Sequence, residues 1–343
     1  MSDFNMNSFH VTINDVAKEA QVSRATVYRV INNKGYVSEK AREAVLTAIE
    51  KLHFKPNKIA QTLASNKKYV IGVIFPTVEK DFWDEVEAGI DSAAREYETS
   101  GISVIKFPIK LFDVDEQREA LEKAFNAGID GLALATAHAS KLNDCIKKFI
   151  DKNIPVVTFN SDAPKSGRVC FVGQDLVKSG ALAADLMALH LGNKGDVAIF
   201  RALRELLAIQ QRVLGFTERI EVDYPGINII GCYDFDESEE KAYSLTKEVI
   251  MQNPDLKGIF VTNAYINVVG RSLKDMNLDR EICLVGYDLT QETKSYIKEG
   301  IINAVINQEP FVQGFKPIQI LHDIIIDKKM PDREIINTKH EII

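Results

Sequence analysis

The sequence predicts a small all-α head with a helix-turn-helix, followed by an α/β body built on doubly wound parallel sheets. The chain has 343 residues, which exceeds one typical domain. Near its start, apolar residues recur at helical spacing. From Tyr69 onward, short apolar runs alternate with helical stretches, a pattern typical of parallel sheets.

The charge of the chain is unevenly distributed. The formal net charge is -7 overall, whereas residues 1–68 contain 11 Lys and Arg against 6 Asp and Glu, a net charge of +5. A basic module on an acidic body is typical of a protein that binds nucleic acid at one end, because phosphate affinity depends on local cations. Chance surface charge is the alternative.

The composition argues against several classes of protein. No apolar run approaches the roughly 20 residues that span a bilayer, and residues 1–10 lack the basic and apolar regions of a secretory signal. The cysteines lie far apart without a CxxC pair, at Cys145, Cys170, Cys232 and Cys283. We therefore expect a soluble cytoplasmic protein without a membrane partner, metal or disulfide framework.

Residues 12–32 read TINDVAKEAQVSRATVYRVIN, in which the apolar positions predict two short amphipathic helices. Between them, Val22 can fill the inter-helix core and Ser23 can cap the second helix. The polar face of that helix leaves four side chains free for a groove: Arg24, Ala25, Tyr28 and Arg29. A third helix is predicted over residues 38–52, with Ser38 as its N-cap. The alternative interpretation is a solvated helical hairpin.

These residues resemble the DNA-binding head of the lactose-repressor (LacI/GalR) family, whose opening motif runs T-I-x-D-V-A-x-x-A-x-V-S-x-x-T-V-S-R-V-L-N. The resemblance continues through Tyr36-Val37-Ser38 and Phe54-Lys55-Pro56-Asn57. Residues 59–64 are similar to the hinge helix of the family. The resemblance implies a DNA-binding domain over residues 10–55, and a hinge helix and linker over residues 56–68.

The resemblance also implies which residues contact DNA. The side chains expected at base edges in the major groove are Arg24, Ala25, Tyr28 and Arg29. Those expected at phosphates are Thr12, Ser23, Thr26, Asn32, Tyr36 and Ser38. Those expected in the minor groove are Asn57, Ala60 and Leu63, where an apolar wedge can kink the duplex. Tyr28 departs from the usual Ser, and Ala25 offers only an apolar contact, so the operator sequence cannot be transferred from a relative.

The body is predicted to contain strands at residues 70–75, 102–105, 131–135, 156–159, 197–200, 258–262 and 283–287. Helices are predicted at residues 82–98, 115–127, 177–191 and 237–252. The motifs Ile71-Gly72-Val73 and Gly286-Tyr287-Asp288 resemble periplasmic sugar-binding proteins and the regulators that share their fold. That resemblance implies an N-lobe of residues 69–173 and 309–329, and a C-lobe of residues 174–308 and 330–343.

Ligands of such sheets bind beyond the carboxyl ends of the strands. An aromatic residue there can stack on a sugar ring, although Phe82 or Trp83 could instead anchor the following helix. Four polar groups follow predicted strands and are expected to hydrogen-bond vicinal hydroxyls: Asn160, Asp162, Asn263 and Asp288. Gln308 is expected at the last lobe crossover.

Gln210 and Arg212 precede Leu214-Gly215-Phe216, a segment that resembles the R-x-x-G-F stretch of this fold. Gln210 is expected to bind the ligand at a position where sugar binders often carry arginine. Because Gln has no charge to pair with an anion, this disfavours a phosphate-bearing or carboxylate ligand. Arg212 is expected to brace the loop.

The functional prediction is a homodimeric regulator, with no cofactor, that binds double-stranded operator DNA and is switched by a sugar-like ligand. Dimerisation would give a near-palindromic operator, and ordering of residues 56–65 on DNA would couple to lobe closure. An enzyme is disfavoured because residues 76–80 offer no glycine-rich phosphate loop. A solute-binding receptor of a transporter is the other alternative, which the DNA-binding head disfavours.

Overall fold

The computed structural model describes residues 11–31, 35–54, 68–78, 80–110, 112–235 and 238–343. The chain divides into two compact units, Met1–Asn66 and Lys67–Ile343. Among the described residues, no helix is both long enough and apolar enough to cross a membrane.

The described part of the first unit contains three helices, α1 (Ile13–Glu19), α2 (Arg24–Ile31) and α3 (Glu39–Lys51). Val16, Val27 and Val45 contribute one fully or almost fully buried side chain from each helix to a shared core. An ion pair of 2.6 Å between Lys51 and Glu19 adds a surface contact between α3 and α1. The predicted all-α head with three helices is confirmed.

The N-lobe carries a six-stranded sheet. Its first five strands are β1 (Tyr69–Pro76), β2 (Ile102–Ile109), β3 (Gly131–Leu134), β4 (Val156–Phe159) and β5 (Cys170–Gly173). Its helices are α4 (Lys80–Tyr97), α5 (Val114–Asn126) and α6 (Asn143–Asp151), with a 3-10 turn at Glu98–Ser100. These strands are parallel in the order β2-β1-β3-β4-β5, so the chain reverses its direction of travel between β1 and β3.

The C-lobe repeats this topology. Its helices are α7 (Leu176–Leu191), α8 (Leu207–Asp223), α9 (Glu239–Gln252), α10 (Ile266–Asp275) and α11 (Gln291–Glu299). Its first five strands are β6 (Gly195–Arg201), β7 (Ile227–Asp234), β8 (Leu256–Val261), β9 (Cys283–Tyr287) and β10 (Ala304–Asn307). The order β7-β6-β8-β9-β10 is again doubly wound, as predicted.

The chain then returns to the N-lobe as α12 (Pro310–Ile325) and ends in two short strands, β11 (Ile335–Asn337) and β12 (Glu341–Ile342). β11 pairs in parallel with β5 of the N-lobe, whereas β12 pairs antiparallel with β10 of the C-lobe. The expected assignment of residues 330–343 to the C-lobe is therefore wrong for β11. The open edge of β5 supplies the reason, because β11 satisfies backbone groups that would otherwise be unpaired.

In each lobe, one pair of helices packs so closely that a glycine on each helix faces a backbone carbonyl of the other. An ideal Cβ on Gly314 of α12 would lie 2.0 Å from the Val86 oxygen of α4. A Cβ on Gly215 of α8 would lie 1.9 Å from the Val177 oxygen of α7. No side chain fits at these distances, so glycine is what allows each helix pair to seat against its sheet.

Candidate functional site

The second helix of the head presents a polar surface. Arg24, Ala25, Tyr28 and Arg29 are all exposed, whereas Val27 and Val30 on the other side are buried in the core. Positions i, i+1, i+4 and i+5 of a helix lie on one face, which explains why these side chains share a surface. This is the geometry of a helix that can enter a major groove.

Hydrogen bonds cap the first two helices at their N-termini. The Thr12 backbone N–H and hydroxyl both donate to the Asp15 carboxylate, at 2.8 and 2.7 Å, and these bonds lower the pKa of Asp15. Ser23 Oγ accepts from the Thr26 backbone N–H at 3.1 Å, so the predicted cap is confirmed. The exposed Thr12 and Ser23 hydroxyls thus stand at helix N-termini, where backbone dipoles favour phosphate.

The remaining predicted DNA contacts divide into two groups. Ser38 is the N-cap residue of α3, as predicted, and Tyr36 is 90% exposed. Four predicted contact residues lie outside the described part of the chain: Asn32, Asn57, Ala60 and Leu63.

Between the lobes lies a small cavity of about 30 Å³ that opens to solvent. The N-lobe contributes Phe82, Trp83, Phe112 and Asn160. The C-lobe contributes Leu203, Leu206, Ala208, Ile209, Arg212, Asn263, Asp288 and Gln308. Six of the eight predicted ligand residues are therefore brought together: Phe82, Trp83, Asn160, Asn263, Asp288 and Gln308.

A hydrogen-bonded chain of side chains forms the polar wall of the cavity. Arg212 Nη1 donates to the Thr262 carbonyl at 2.7 Å, and Arg212 Nη2 donates to Gln308 Oε1. Gln308 Nε2 in turn donates to Asp288 Oδ1 at 2.6 Å. The Arg212 guanidinium also stacks over the Tyr287 ring, 3.8 Å from its centroid. These contacts hold the guanidinium in one orientation before any ligand arrives.

Within the described residues, the buried Arg212 Nε has no hydrogen-bond partner. A buried charged donor without a partner is costly, and an oxygen atom of a ligand would satisfy it. Burial raises the pKa of the Asp288 carboxyl to about 6, with Arg212 and Gln308 opposing the rise. The wall therefore combines a fixed cation with a carboxyl whose charge is costly to bury.

Asn160 and Asp288 follow equivalent strands of the two lobes, β4 and β9. Both have a left-handed backbone, with φ of 62° and 73°. Asn and Asp tolerate this conformation better than other side chains with a Cβ. β4 and β9 hold the same position in their two sheets. A left-handed turn at the carboxyl end of each strand thus places a polar side chain at the cavity.

The N-lobe side of the cavity is aromatic. Trp83 lies edge-on to Phe82 and Phe112, with ring centroids 5.1 and 5.8 Å apart. Trp83 is 2% exposed and belongs to the N-lobe core, so it also anchors α4 to the sheet. Trp83 thus anchors the helix and lines the cavity, and stacking of either ring on a ligand stays a prediction.

Two predicted ligand residues do not reach the cavity lining. Asp162 is held by Arg168 through hydrogen bonds of 2.6 Å from Nε and Nη2, and it also accepts from the Thr158 hydroxyl. Gln210 lies on the exposed side of α8, where its side chain donates to the Arg204 carbonyl. Asp162 thus has a structural ion pair, and Gln210 has a surface contact.

Arg212 is the polar lining residue that the sequence interpretation missed. It was expected to brace the loop, but it is 4% exposed and lines the cavity. Helical spacing could have identified it, because residues 208, 209, 212, 215 and 216 are all buried on one face of α8. Gln210, two positions earlier, necessarily points to another side.

Among the described residues, one group has the spacing to hold a metal ion. The ligand atoms of His322, Asp323 and Asp327 lie within 4.8 Å of one another. His322 is stacked on Tyr97 with centroids 4.3 Å apart, and its Nδ1 lies 3.0 Å from Asp323. These contacts account for the position of the ring without a metal.

Comparison with known proteins identifies relatives of both units. Residues 12–57 match the family described as bacterial regulatory proteins, lacI family, and residues 71–329 match the periplasmic binding protein domain. The HTH-type transcriptional regulator pepR1 of Lactobacillus delbrueckii subsp. lactis is 34% identical over 341 residues, 96% of each chain. The ribose operon repressor of Halalkalibacterium halodurans is 28% identical over 287 residues, 81% of this chain and 80% of the relative.

A solved structure has the same fold as the body. The crystal structure of GanP, a glucose-galactose binding protein from Geobacillus stearothermophilus, superposes with a TM-score of 0.73 and 28% sequence identity. The match covers 81% of this chain and 97% of that protein. The similarity confirms the prediction of a periplasmic-binding-protein-like body.

Proposed function

Because the chain belongs to the lacI family of bacterial regulatory proteins and is a DNA-binding transcriptional regulator, we propose that it represses carbohydrate-utilisation genes and is released from its operator by a sugar-like effector. The observation that carries this proposal is the buried Arg212, which lines the cavity, is fixed by Thr262 and Gln308, and has an Nε without a hydrogen-bond partner among the described residues. A preorganised donor of this kind suits an uncharged hydroxylated ligand as well as an anion.

A neutral sugar accounts for the polar wall better than a sugar phosphate does. Arg212 is the single cationic side chain among the residues that line the described cavity, and Asp288 lies in the same wall. A phosphate would place about two negative charges beside that carboxyl with one cation to offset them. Hydroxyl groups could instead donate to Asp288 and accept from Arg212.

On the DNA side, we propose that Arg24, Ala25, Tyr28 and Arg29 read base edges while the capped helix N-termini at Thr12 and Ser23 meet phosphates. Thr26, Tyr36 and Ser38 are proposed as further backbone contacts. The minor-groove role of Asn57, Ala60 and Leu63 and the phosphate role of Asn32 rest on the family resemblance alone.

One recognition helix per chain predicts that the protein acts as a homodimer on a near-palindromic operator. Effector binding between the lobes would favour one position of the lobes relative to each other. Residues 56–65 would couple that position to the affinity of the protein for DNA. The proposed location is the cytoplasm, where the operator lies. The proposal makes the protein neither an enzyme nor a membrane-bound receptor.

Two binding experiments on the full chain test the proposal. In vitro selection from random duplex DNA should enrich a near-palindromic sequence, and a thermal-shift screen against neutral sugars, polyols, sugar phosphates and nucleosides should show a stabilising sugar. A neutral sugar that stabilises the protein and weakens operator binding supports the proposal. Stabilisation by nucleosides or sugar phosphates alone would contradict the assigned effector, and failure to enrich any DNA would contradict the assigned operator.

A further inference from the structure

One loop of the C-lobe contacts the N-lobe at two points. This latch loop, residues 202–206, connects β6 to α8. Leu206 belongs to a hydrophobic cluster against which Phe112 of the N-lobe packs. At the rim, Glu205 Oε2 lies 4.0 Å from His138 Nε2 of the N-lobe. The two lobes are thus joined across the cavity by side chains of the protein itself.

The apolar contact contributes more to this connection than the rim contact does. Leu206 is 5% exposed, and Leu203 and Phe112 are partly buried against the same cluster. Removing this carbon surface from water stabilises the closed lobes in proportion to the area that is covered. The Glu205 side chain is 64% exposed, so its interaction with the N-lobe is weak.

The backbone of the latch loop is strained. Leu203 has a φ of +52°, in the left-handed region that leucine rarely adopts. Such strain persists where surrounding contacts determine the conformation, and it is frequent in switch segments. The Leu206 N–H donates to the Leu203 carbonyl at 2.8 Å, and Gln210 Nε2 donates to the Arg204 carbonyl at 3.1 Å. Gln210 therefore positions the latch loop, although it does not reach the cavity lining.

The lobes are closed in this arrangement. The cavity between them measures about 30 Å³, which has room for about two water molecules. A sugar is larger than this space. It could enter only after the latch loop and Phe112 move apart.

We propose that the latch loop holds the lobes closed without an effector, and that its opening is the step that releases the operator. The first part concerns the protein alone. The second part rests on the proposed function, in which the effector-free protein binds DNA and the effector dissociates it. Since a sugar must open the latch to enter, the closed lobes correspond to the DNA-binding state and the open lobes to the released state.

The chain carries two probes for a test of the first part. Its one tryptophan, Trp83, lies in the N-lobe. Cys232 of the C-lobe is exposed, whereas the other three cysteines are buried. An AEDANS group attached to Cys232 accepts energy from Trp83, so the fluorescence lifetime of Trp83 reports the distance between the lobes in the full chain without a ligand. We expect one distance in the wild type and an added longer distance in variants of the latch loop.

Leu203→Asn weakens the latch and keeps its turn, because Asn tolerates the left-handed backbone and removes the apolar contact. The ratio of open to closed protein should rise about tenfold, which is measured as a loss of energy transfer. Leu189→Asn, at a C-lobe leucine that is 75% exposed, is the matched control and should leave the transfer unchanged. Equal transfer in Leu203→Asn and the wild type would overturn the latch.

A second variant guards against misfolding of the first. Gln210 is exposed, and Gln210→Met keeps the helix propensity of α8 while removing the hydrogen bond to Arg204. It should show a smaller loss of transfer than Leu203→Asn, with thermal unfolding as the check that both variants are folded. No loss of transfer in this folded variant would contradict the positioning role of Gln210.

Operator binding tests the second part. Anisotropy of the selected operator, recorded without any ligand, should show at least roughly twofold weaker binding by Leu203→Asn than by Leu189→Asn. A loss of transfer with unchanged operator affinity would overturn the link between opening and release. The transfer measurement needs no effector, so its result stands whether or not a sugar effector is found.

Discussion

Compared with the N-lobe, the C-lobe has the same strand order and the same close glycine-mediated packing of two helices. Each lobe also delivers a polar side chain from a left-handed turn, Asn160 in one and Asp288 in the other. The walls nevertheless differ in chemistry. The N-lobe supplies aromatic rings and an amide, whereas the C-lobe supplies a cation, a carboxyl, amides and aliphatic side chains.

This difference shows that the shared architecture specifies where side chains meet and leaves open what they are. The carboxyl ends of the strands in both lobes face one cavity because both sheets are doubly wound in the same order. Charge is confined to the C-lobe wall, where Arg212 and Asp288 are joined through Gln308. We therefore expect the C-lobe to recognise the charged and polar groups of a ligand, and the aromatic side chains of the N-lobe to contact its ring surface.

The largest expected effect concerns Asp288→Asn, which gives the C-lobe the residue type that the N-lobe has at Asn160. The native pKa of Asp288 is raised from 3.8 to about 6, so the folded protein binds the proton more tightly than the unfolded chain does. The contribution of Asp288 to stability should therefore fall as pH rises from about 4 to 6, by about 3 kcal/mol. The variant should lack this loss.

Urea unfolding at pH 4 and pH 7 gives the free energy of unfolding of the wild type and of the variant. The expected effect is that the difference between these two free energies changes with pH. Asp332→Asn, at an exposed carboxylate, serves as the control and should show a small change. A difference between wild type and Asp288→Asn that stays constant with pH would show that burial does not perturb this carboxyl.

The next effect concerns the cation of the C-lobe wall. Arg212→Met should weaken effector binding about 100-fold, because it removes charge-assisted hydrogen bonds and leaves buried acceptors unpaired. Arg219→Met on the same helix, where the guanidinium is 40% exposed and pairs with Asp185, is the matched control. Titration by tryptophan fluorescence measures both. Comparable losses in the two variants would mean that Arg212 acts through fold stability.

Substitution of the close-packed glycines should lower the stability of the two lobes by similar amounts. Ala at Gly215 or at Gly314 gains about 1 kcal/mol of helix propensity but places a Cβ 1.9 or 2.0 Å from a backbone oxygen. Because a backbone atom cannot rotate away, each substitution should cost a net of about 2 to 3 kcal/mol. Glu218→Ala on the exposed side of α8 controls for propensity in thermal and urea unfolding. Tolerance in one lobe only would show that the packing is not equivalent.

A variant of the head should change DNA binding without changing effector affinity, unlike the variants of the lobes. Arg29→Ala should cost about 1 to 3 kcal/mol of binding to the selected operator, with little effect on random DNA and none on effector affinity. Fluorescence anisotropy with both duplexes provides the measurement. Equal losses on operator and random DNA would mean that Arg29 contacts phosphates and does not read bases.

The three described helices of the head could be predicted from the sequence because their signals are local. Ser23 caps α2 through a residue three positions away, and Val27 and Val30 mark the buried side of the same helix. Most strands of the body could also be predicted, since buried parallel strands are continuous apolar runs. Among β1 to β10, three strands were missed: the short strands β5 and β10, and the edge strand β7, whose half-exposed positions interrupt its pattern.

The cavity could be predicted only in part because its geometry depends on contacts between distant segments. Asp162 follows β4 as Asn160 does, but Arg168 captures its carboxylate. Gln210 and Arg212 differ by two positions on α8, and the burial of neighbouring residues determines which one faces the cavity. The pairing of β11 with β5 joins segments more than 160 residues apart, beyond any local signal.

The central claim is that occupancy of the interlobe cavity controls DNA affinity, and one measurement tests it most directly. Anisotropy of a labelled selected operator would be recorded for the full chain and for Arg212→Met, with and without the sugar found in the thermal-shift screen. The account predicts that the ligand lowers operator affinity at least roughly tenfold in the wild type and has little effect on the variant. A ligand that saturates the cavity but leaves operator affinity unchanged would contradict the account.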